Sequence, residues 1–278
     1  MLIKDLTQKI LEDYDDVFSD IVNVLIFDGE RYVKANELEN AQVVSQYKAN
    51  DNRLHEQERD ISKYFIRNRE KELLIGIENQ NAIDYNMPLR VLGYDGASYK
   101  IQYTSDEAIY PVITLVLYFG DTHWSTHKKL SDVVNVPDEV DEYFNDYEIN
   151  VFEIAWLTDE QVEKFTSDFK IVARFFVERR KNKEYIPNDT TVIKHTDELL
   201  KLLSVMTQDR RYEEILLNQQ KGEIRNMCDV AQRLEDIGMQ KGMQKGMQKG
   251  KLELMAGLVM RGIFSVEDGA NEIGSTPT

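Results

Sequence analysis

Two carboxylates of this sequence lie on segments that a β-hairpin would bring to one end of a sheet. Asp60 opens a β-like segment over residues 60–66, and Glu78 ends a second one over residues 72–78. The charged stretch 67–71 predicts a turn between two antiparallel strands. Because strand side chains alternate with a period of two residues, both carboxylates can face one side of the sheet. Two converging carboxylates are ligands for a divalent metal ion.

Gln80 has the same strand parity as Glu78 and is expected beside that metal, where its amide could orient a water or contact a phosphate oxygen. Hard oxygen ligands with open coordination positions favour Mg²⁺ or Mn²⁺. In an acidic chain, both acids could equally be ordinary strand-edge charges. The metal hypothesis is favoured because the polar run 78–80 directly follows the most hydrophobic strand, where burial of polar groups is costly.

Other chemistry has weaker support in the sequence. His123 and His127 form the only histidine pair with metal-like spacing, and a polar loop explains them better than a zinc site because Asp121 is the only carboxylate nearby. The chain has no G-x-G-x-x-G after a strand, no Walker loop and no G-x-S-x-G elbow. Nucleotide-dependent and α/β-hydrolase activities therefore lack their usual motifs.

The elements that must position these residues follow from hydrophobic periodicity. Apolar spacing predicts one long amphipathic helix over residues 3–27, a helix over 87–103 and a strand over 112–119. With the hairpin, these make an α/β core. Further helices are predicted over 158–180, 195–207 and 210–238. We therefore divide the chain into an α/β domain over residues 1–190 and a helical C-terminal region over residues 191–278.

The C-terminal region contains a Gly-Met-Gln-Lys unit repeated three times between Gly238 and Lys249. Four residues advance a helix by about 400°, so the glycine and methionine stripes drift around the axis. An exposed helical extension explains the repeat, and so does a self-association helix with adaptable methionines. We expect the region from about His195 to form a homodimer or higher oligomer and to be dispensable for folding of the α/β core.

Composition restricts the class of protein. The chain has 278 residues, 42% hydrophobic and 30% charged, so it is a folded globular protein. Its single cysteine, Cys228, excludes an intramolecular disulfide. The longest apolar stretch, 112–119, is too short to span a membrane, and the acidic N-terminus does not resemble a signal peptide. We expect a soluble cytoplasmic protein with no membrane partner.

The net charge of −16 argues against a large nucleic-acid-binding surface. Any site for DNA must therefore be local. The candidate cations are Arg90, which follows the motif strand closely, and three residues of one predicted helix, Lys170, Arg174 and Lys181. An ion pair with Asp84 or Asp95 is an alternative explanation of Arg90.

Four ordered blocks resemble the Rpn family of recombination-promoting nucleases, also called putative transposases, within the PD-(D/E)XK nuclease superfamily. They are Glu58-Arg59-Asp60, Gly76-Ile77-Glu78-Asn79-Gln80, Met87-Pro88-Leu89-Arg90 and the stretch from Tyr110-Pro111-Val112 to Phe119-Gly120. The match covers about the first 190 residues, and the C-terminal repeat is similar to the repetitive ends of bacterial members. The resemblance implies a restriction-endonuclease-like core, a mixed sheet flanked by helices.

The resemblance also implies roles for individual residues. Asp60 resembles the motif aspartate and Glu78 the first acid of the E-x-K element, which together bind the catalytic metal. Gln80 stands where the superfamily has lysine, which puts the catalytic rate in doubt more than metal binding. Asp20 is the best match to the acid on the first helix, although a solvated aspartate explains it equally well. The implied activity is Mg²⁺-dependent endonucleolytic hydrolysis of double-stranded DNA.

Two other functions stay open on the sequence. A non-catalytic interaction protein, acting through oligomerisation or partner binding, is favoured by the charge of −16 and the missing motif lysine. A transposase in the strict sense would need strand transfer as well as cleavage, and no acidic triad of another nuclease class supports it. A dimer would present two active sites, as cutting both strands of a duplex requires.

Overall fold

The computed structural model describes residues 2–41, 44–48, 54–105, 108–217 and 224–268. Its helices are α1 (Leu2–Glu12), α2 (Asp15–Phe27), α3 (Met87–Tyr103), α4 (Asp159–Lys164), α5 (Phe169–Lys181), α6 (Thr196–Thr207), α7 (Arg211–Leu217) and α8 (Met227–Met260). Its strands are β1 (Leu38–Asn40), β2 (Val44–Lys48), β3 (Leu54–Glu58), β4 (Ile61–Arg67), β5 (Glu70–Gln80), β6 (Val112–Tyr118) and β7 (Asn150–Glu153).

A mixed five-stranded sheet with the order β1-β4-β5-β6-β7 forms the centre of the fold. β4 pairs antiparallel with β1 and with β5, whereas β6 pairs parallel with β5 and with β7. The parallel strands β5 and β6 need a crossover connection, which α3 supplies. Strands β2 and β3 form a separate antiparallel pair. The predicted α/β class, a mixed sheet flanked by helices, is confirmed.

The hairpin predicted around the two carboxylates is the β4–β5 pair. Its turn places Asn68 and Arg69 in the left-handed region, with φ of +54° and +70°. Two successive residues with positive φ are typical of the type I′ turn, whose twist matches that of the flanking strands. The register pairs Ile61 with Ile77, so one further step places Asp60 opposite Glu78.

Both faces of the sheet are covered, which explains the nearly continuous hydrophobicity of β5 and β6. On one face, Ile75, Ile77 and Leu115 belong to the main core with α1, α2 and α5. On the other face, Val116 packs with Met87 and other residues at the start of α3. The even-numbered residues of β5, including Glu78, therefore point towards the α3 side.

The main core does not stop at residue 190. Leu199 and Leu203 of α6, Tyr212 of α7 and Leu234 of α8 are buried in the same cluster as the sheet residues. The buried core therefore continues across the expected boundary at residue 190. Beyond Leu234, α8 leaves the core, and the Gly-Met-Gln-Lys repeats lie on its exposed part, residues 239–254.

Three of the predicted helices are interrupted in the structure. The helix expected over 210–238 is divided into α7 and α8, with residues 224–226 outside both. The helix expected over 3–27 breaks at Tyr14, whose ψ of 130° is extended, and Lys63 from β4 binds Asp13 and Asp15 on either side of the break. The helix expected over 158–180 is divided into α4 and α5. The sequence also left β1, β2, β3 and β7 unpredicted.

No described helix combines the length and the hydropathy that crossing a membrane requires.

Candidate active site

Asp60 and Glu78 are held together by the backbones of two neighbouring strands. The backbone N–H of Asp60 donates to Glu78 Oε1 at 3.2 Å, and the backbone N–H of Asn79 donates to Asp60 Oδ2 at 2.7 Å. Each carboxylate thus accepts a hydrogen bond from the strand that carries the other one. The structure therefore brings these two predicted site residues together at the end of the hairpin.

Glu78 is completely buried on the α3 side of the sheet. Arg90 of α3 donates from Nη2 to Glu78 Oε2 at 3.1 Å. Burial, and then the negative charge of Asp60, raise the pKa of Glu78 to about 8, although Arg90 and Arg59 oppose the shift. The surrounding positive charge does not compensate the cost of ionising this carboxyl, a condition that is concentrated at functional sites.

Helix α1 brings two further ionisable groups to the same place. Lys9 Nζ lies 2.9 Å from Asp60 Oδ1. Glu12, with 2% of its surface exposed, accepts a hydrogen bond of 2.6 Å from Asn79 Nδ2. Burial is the main cause that raises the pKa of Glu12 to about 8, and the charge of Asp60 adds to it. Three carboxyl groups, Glu12, Asp60 and Glu78, therefore surround the end of β5.

Sequence reasoning missed both residues of α1. Lys9 and Glu12 are three positions apart, so they share one helix face, and that spacing was the available signal. It does not distinguish a site residue from a solvated charge. Only the packing of α1 against β5 does so.

Asp20, expected on the first helix of the site, lies elsewhere. Its carboxylate accepts hydrogen bonds from the backbone N–H groups of Thr166 and Ser167, at 2.8 Å each, and from the Thr166 hydroxyl. These backbone groups precede α5, where N–H donors lack helical partners. Asp20 therefore fixes the break between α4 and α5, and Glu12 is the helical acid next to Asp60.

Gln80 is the last residue of β5 and is half-buried. It has the strand parity of Glu78, as predicted, and its backbone carbonyl accepts a hydrogen bond from the Phe119 N–H. Gln80 therefore lies two residues beyond Glu78, on the same face of β5.

The predicted DNA-binding cations are engaged with acids. Arg90 binds Asp84 as well as Glu78. Although burial lowers it, the contacts with Tyr94 and Asp84 hold the pKa of Arg90 above its ordinary value. On α5, Lys170 and Arg174 both pair with Glu163, and Lys181 pairs with Glu178.

A buried network beside the site was not predicted. Arg59, with 3% of its surface exposed, donates to Asp95 at 2.6 Å, and Thr114 and Tyr147 donate to the same carboxylate. A side chain at Gly76 would meet Arg59 Cδ at 3.2 Å, so glycine is what lets the guanidinium cross the strand. Because Arg59 precedes Asp60 directly, this network fixes the backbone that holds Glu78.

The metal-ligand geometry is limited to two acids. Among the described residues, no group of three or more His, Cys, Asp or Glu side chains is arranged to hold a metal ion. His123 instead lies against Trp156 and Glu153, and His127 against Tyr85. Asp60 and Glu78 are thus two acids that the hairpin holds side by side.

A protein-family model described as "Putative transposase, YhgA-like" matches residues 51–214. The match contains β3 to β7 and α3 to α6 and ends within α7, so it includes Asp60, Glu78 and Gln80. No curated protein and no solved structure gives a significant match to the chain.

Proposed function

This chain belongs to the family of YhgA-like putative transposases, and we propose that it is a metal-dependent endonuclease that hydrolyses phosphodiester bonds of double-stranded DNA. A transposase or nuclease-like role is what the family and the nuclease-like fold support. The reciprocal backbone hydrogen bonds that lock Asp60 to Glu78 carry the finer proposal. They hold two carboxylates side by side at a sheet end, which is costly unless a cation uses them.

The donor set fits Mg²⁺ or Mn²⁺. Asp60 and Glu78 offer only oxygen ligands. Burial, and then the negative charge of Asp60, raise the pKa of Glu78, and a divalent cation bound there would favour its ionised form. Mg²⁺ is commonly held by one or two carboxylates together with waters and substrate phosphates, so a two-acid site suits it. When bound, such a metal would polarise the scissile phosphate and lower the pKa of a water.

The chain's own residues supply positioning and charge. Arg90 and the Asp60 backbone fix the two oxygens of Glu78, and Asn79 fixes Asp60. Gln80 orients the attacking water through its amide. Lys9 places an ammonium group beside Asp60, where it provides positive charge that Gln80 cannot provide.

One observation favours a non-catalytic interaction protein instead. The Lys9 ammonium already lies 2.9 Å from Asp60, so part of the site's negative charge is neutralised within the chain. With glutamine at position 80, such a site could be purely structural. Under this alternative, the chain does not cleave DNA in a Mg²⁺-dependent manner.

The deciding experiment is cleavage of supercoiled plasmid DNA by the purified full chain, with Mg²⁺ or with EDTA. We compare the wild type with Glu78→Gln, which keeps an oxygen for the Asp60 N–H but removes the charge. Glu70→Gln, an exposed acid at the start of the same strand, is the matched control. We expect Mg²⁺-dependent nicking that Glu70→Gln retains and that Glu78→Gln lowers by roughly 100-fold or more.

Equal cleavage by both variants would refute the assignment of Glu78. A folded wild-type chain with no Mg²⁺-dependent cleavage, and no Mn²⁺ binding by calorimetry, would favour the interaction protein.

A further inference from the structure

A cleft of about 230 Å³ opens beside the proposed active site. Asn81 and Phe119 line it at the ends of β5 and β6, and the last turn of α5 lines it from the opposite side. Three cations face this cleft: Arg179, Arg180 and Lys183. In a chain with a net charge of −16, such a concentration of positive charge needs a structural or functional reason.

The two arginines are oriented by neutral groups. Arg179 Nη1 donates to the Met206 carbonyl at 3.0 Å, and Arg180 Nε donates to the Ala155 carbonyl at 2.9 Å. The Arg180 guanidinium also lies 3.9 Å from the centroid of the Trp156 ring. Among the described residues, neither arginine has a carboxylate within ion-pair distance, in contrast to Lys170, Arg174 and Lys181 on the same helix.

The guanidinium groups are thus fixed with hydrogen-bonding capacity left over. A guanidinium has five N–H donors in a planar fork that matches phosphate oxygens, and each contact with a carbonyl uses one of them. Both side chains are half-buried, so little rotamer freedom remains to be lost on binding. Lys183 is exposed and pairs with Asp121 at 2.7 Å, which leaves the rim with more positive than negative charge.

The cleft is close enough to Asp60 and Glu78 for one strand of DNA to reach both places. Asn81 follows Gln80 directly and is three residues from Glu78, a distance of at most about 10 Å along an extended chain. One strand of B-DNA advances about 3.4 Å per nucleotide along the helix axis. A phosphate about three nucleotides from the cleaved bond would therefore reach the cleft.

We infer that the cleft between α5 and the ends of β5 and β6 is a binding site for the phosphate backbone of DNA, held by Arg179, Arg180 and Lys183. The inference rests on the proposed function for its choice of DNA. It assigns backbone binding to Arg179, Arg180 and Lys183, in place of Lys170, Arg174 and Lys181.

The test measures binding separately from cleavage. A fluorescein-labelled DNA duplex is titrated with the full chain in EDTA, and its anisotropy is followed at several KCl concentrations. Arg179→Gln and Arg180→Gln should each weaken binding by about tenfold. Each should also reduce the slope of log K against log salt by about 0.9, as expected for one lost phosphate contact. Lys100→Gln, which removes an exposed charge from α3, should change neither quantity.

Two surface variants keep the test independent of folding. Lys183→Gln should weaken binding, whereas Asp121→Asn should tighten it, because Asp121 neutralises Lys183 and repels phosphate. Opposite effects from these two exposed positions cannot come from a damaged core. Thermal unfolding of every variant checks that the fold is retained.

If the arginine variants bind DNA as tightly as Lys100→Gln and the wild type, the cleft is not the phosphate site and the inference is refuted. That result leaves the Glu78-dependent cleavage test unaffected. If cleavage proves independent of Glu78 while binding still depends on Arg179 and Arg180, the inference stands and the proposed active site fails. A wild type without affinity for DNA at low salt in EDTA also refutes the inference, and the Mg²⁺-dependent cleavage test still decides the proposed function.

Discussion

Replacing Glu12 with glutamine tests the electrostatics of the site without any metal. Glu12 is buried, and its carboxylate accepts the hydrogen bond from Asn79 Nδ2. Glutamine keeps an oxygen acceptor of the same size but cannot ionise. The variant should therefore preserve the contact and abolish one titration in the folded protein.

The direction of the pH effect follows from linkage. An acid whose folded-state pKa is raised keeps its proton longer in the folded chain than in the unfolded chain. The free energy of unfolding therefore falls as the pH rises between the two pKa values. For Glu12 the contribution is fully present below about 4.5 and is lost as the pH rises through about 8. At about 1.4 kcal/mol per pKa unit, ionisation of Glu12 lowers the free energy of unfolding by roughly 3 kcal/mol at pH 7 and by about 5 kcal/mol at pH 9.

Urea unfolding in EDTA at intervals between pH 5 and pH 9 measures this cost. The stability advantage of Glu12→Gln over the wild type should grow with pH, to several kcal/mol at the alkaline end. Because Glu78 titrates in both proteins, it does not contribute to the difference in their free energies of unfolding. Glu142→Gln, at an exposed acid, controls for the removal of one charge from an acidic chain. Parallel pH curves for Glu12→Gln and the wild type would refute this reasoning.

Gly76→Ala should destabilise the fold by about 1 to 3 kcal/mol in urea unfolding, because a Cβ would lie 3.2 Å from Arg59 Cδ and 3.3 Å from Thr114 Oγ1. An unchanged urea midpoint would mean that Arg59 and Thr114 can shift to accept the added methyl group without loss of stability. A chain ending at residue 236 should unfold within about 2 °C of the full chain and sediment as a monomer, whereas one ending at residue 194 should aggregate, since it lacks the buried face of α6. If the chain ending at residue 194 is a folded monomer, the α/β domain is independent of the C-terminal helices. If the chain ending at residue 236 and the full chain sediment equally, the exposed part of α8 does not mediate self-association.

The parts of the fold that the sequence predicts have strong local signals. The β4–β5 hairpin and β6 combine a clear hydrophobic pattern with a turn or a proline at one end, and Pro88 marks the start of α3. The hairpin also fixes the register of Asp60 and Glu78, so this half of the site can be predicted from strand parity alone. The same parity places Gln80 on the face of β5 that carries Glu78.

The other half of the site depends on tertiary packing and therefore escaped prediction. Asp20 and Glu12 are both acids at the edge of an apolar stripe, and nothing local distinguishes them. Their roles depend on their contacts in the folded chain. Asp20 accepts hydrogen bonds from two backbone N–H groups before α5, whereas Glu12 accepts one from Asn79 at the end of β5. The break at Tyr14 has the same origin, since Lys63, 48 residues from Asp15 in sequence, bonds to that acid.

The C-terminal helices take part in building the site through α1. Helix α6 packs against α1, and α1 carries Lys9 and Glu12 to Asp60 and Asn79. Tyr14, at the break after α1, stacks on His195 at the start of α6, with 3.8 Å between the ring centroids. A helix as short as α1 is marginal in isolation, so its position depends on these contacts. The pairing of Asp60 with Glu78 depends on contacts within the hairpin, whereas the charges that α1 places around them depend on the packing of α1 against α6.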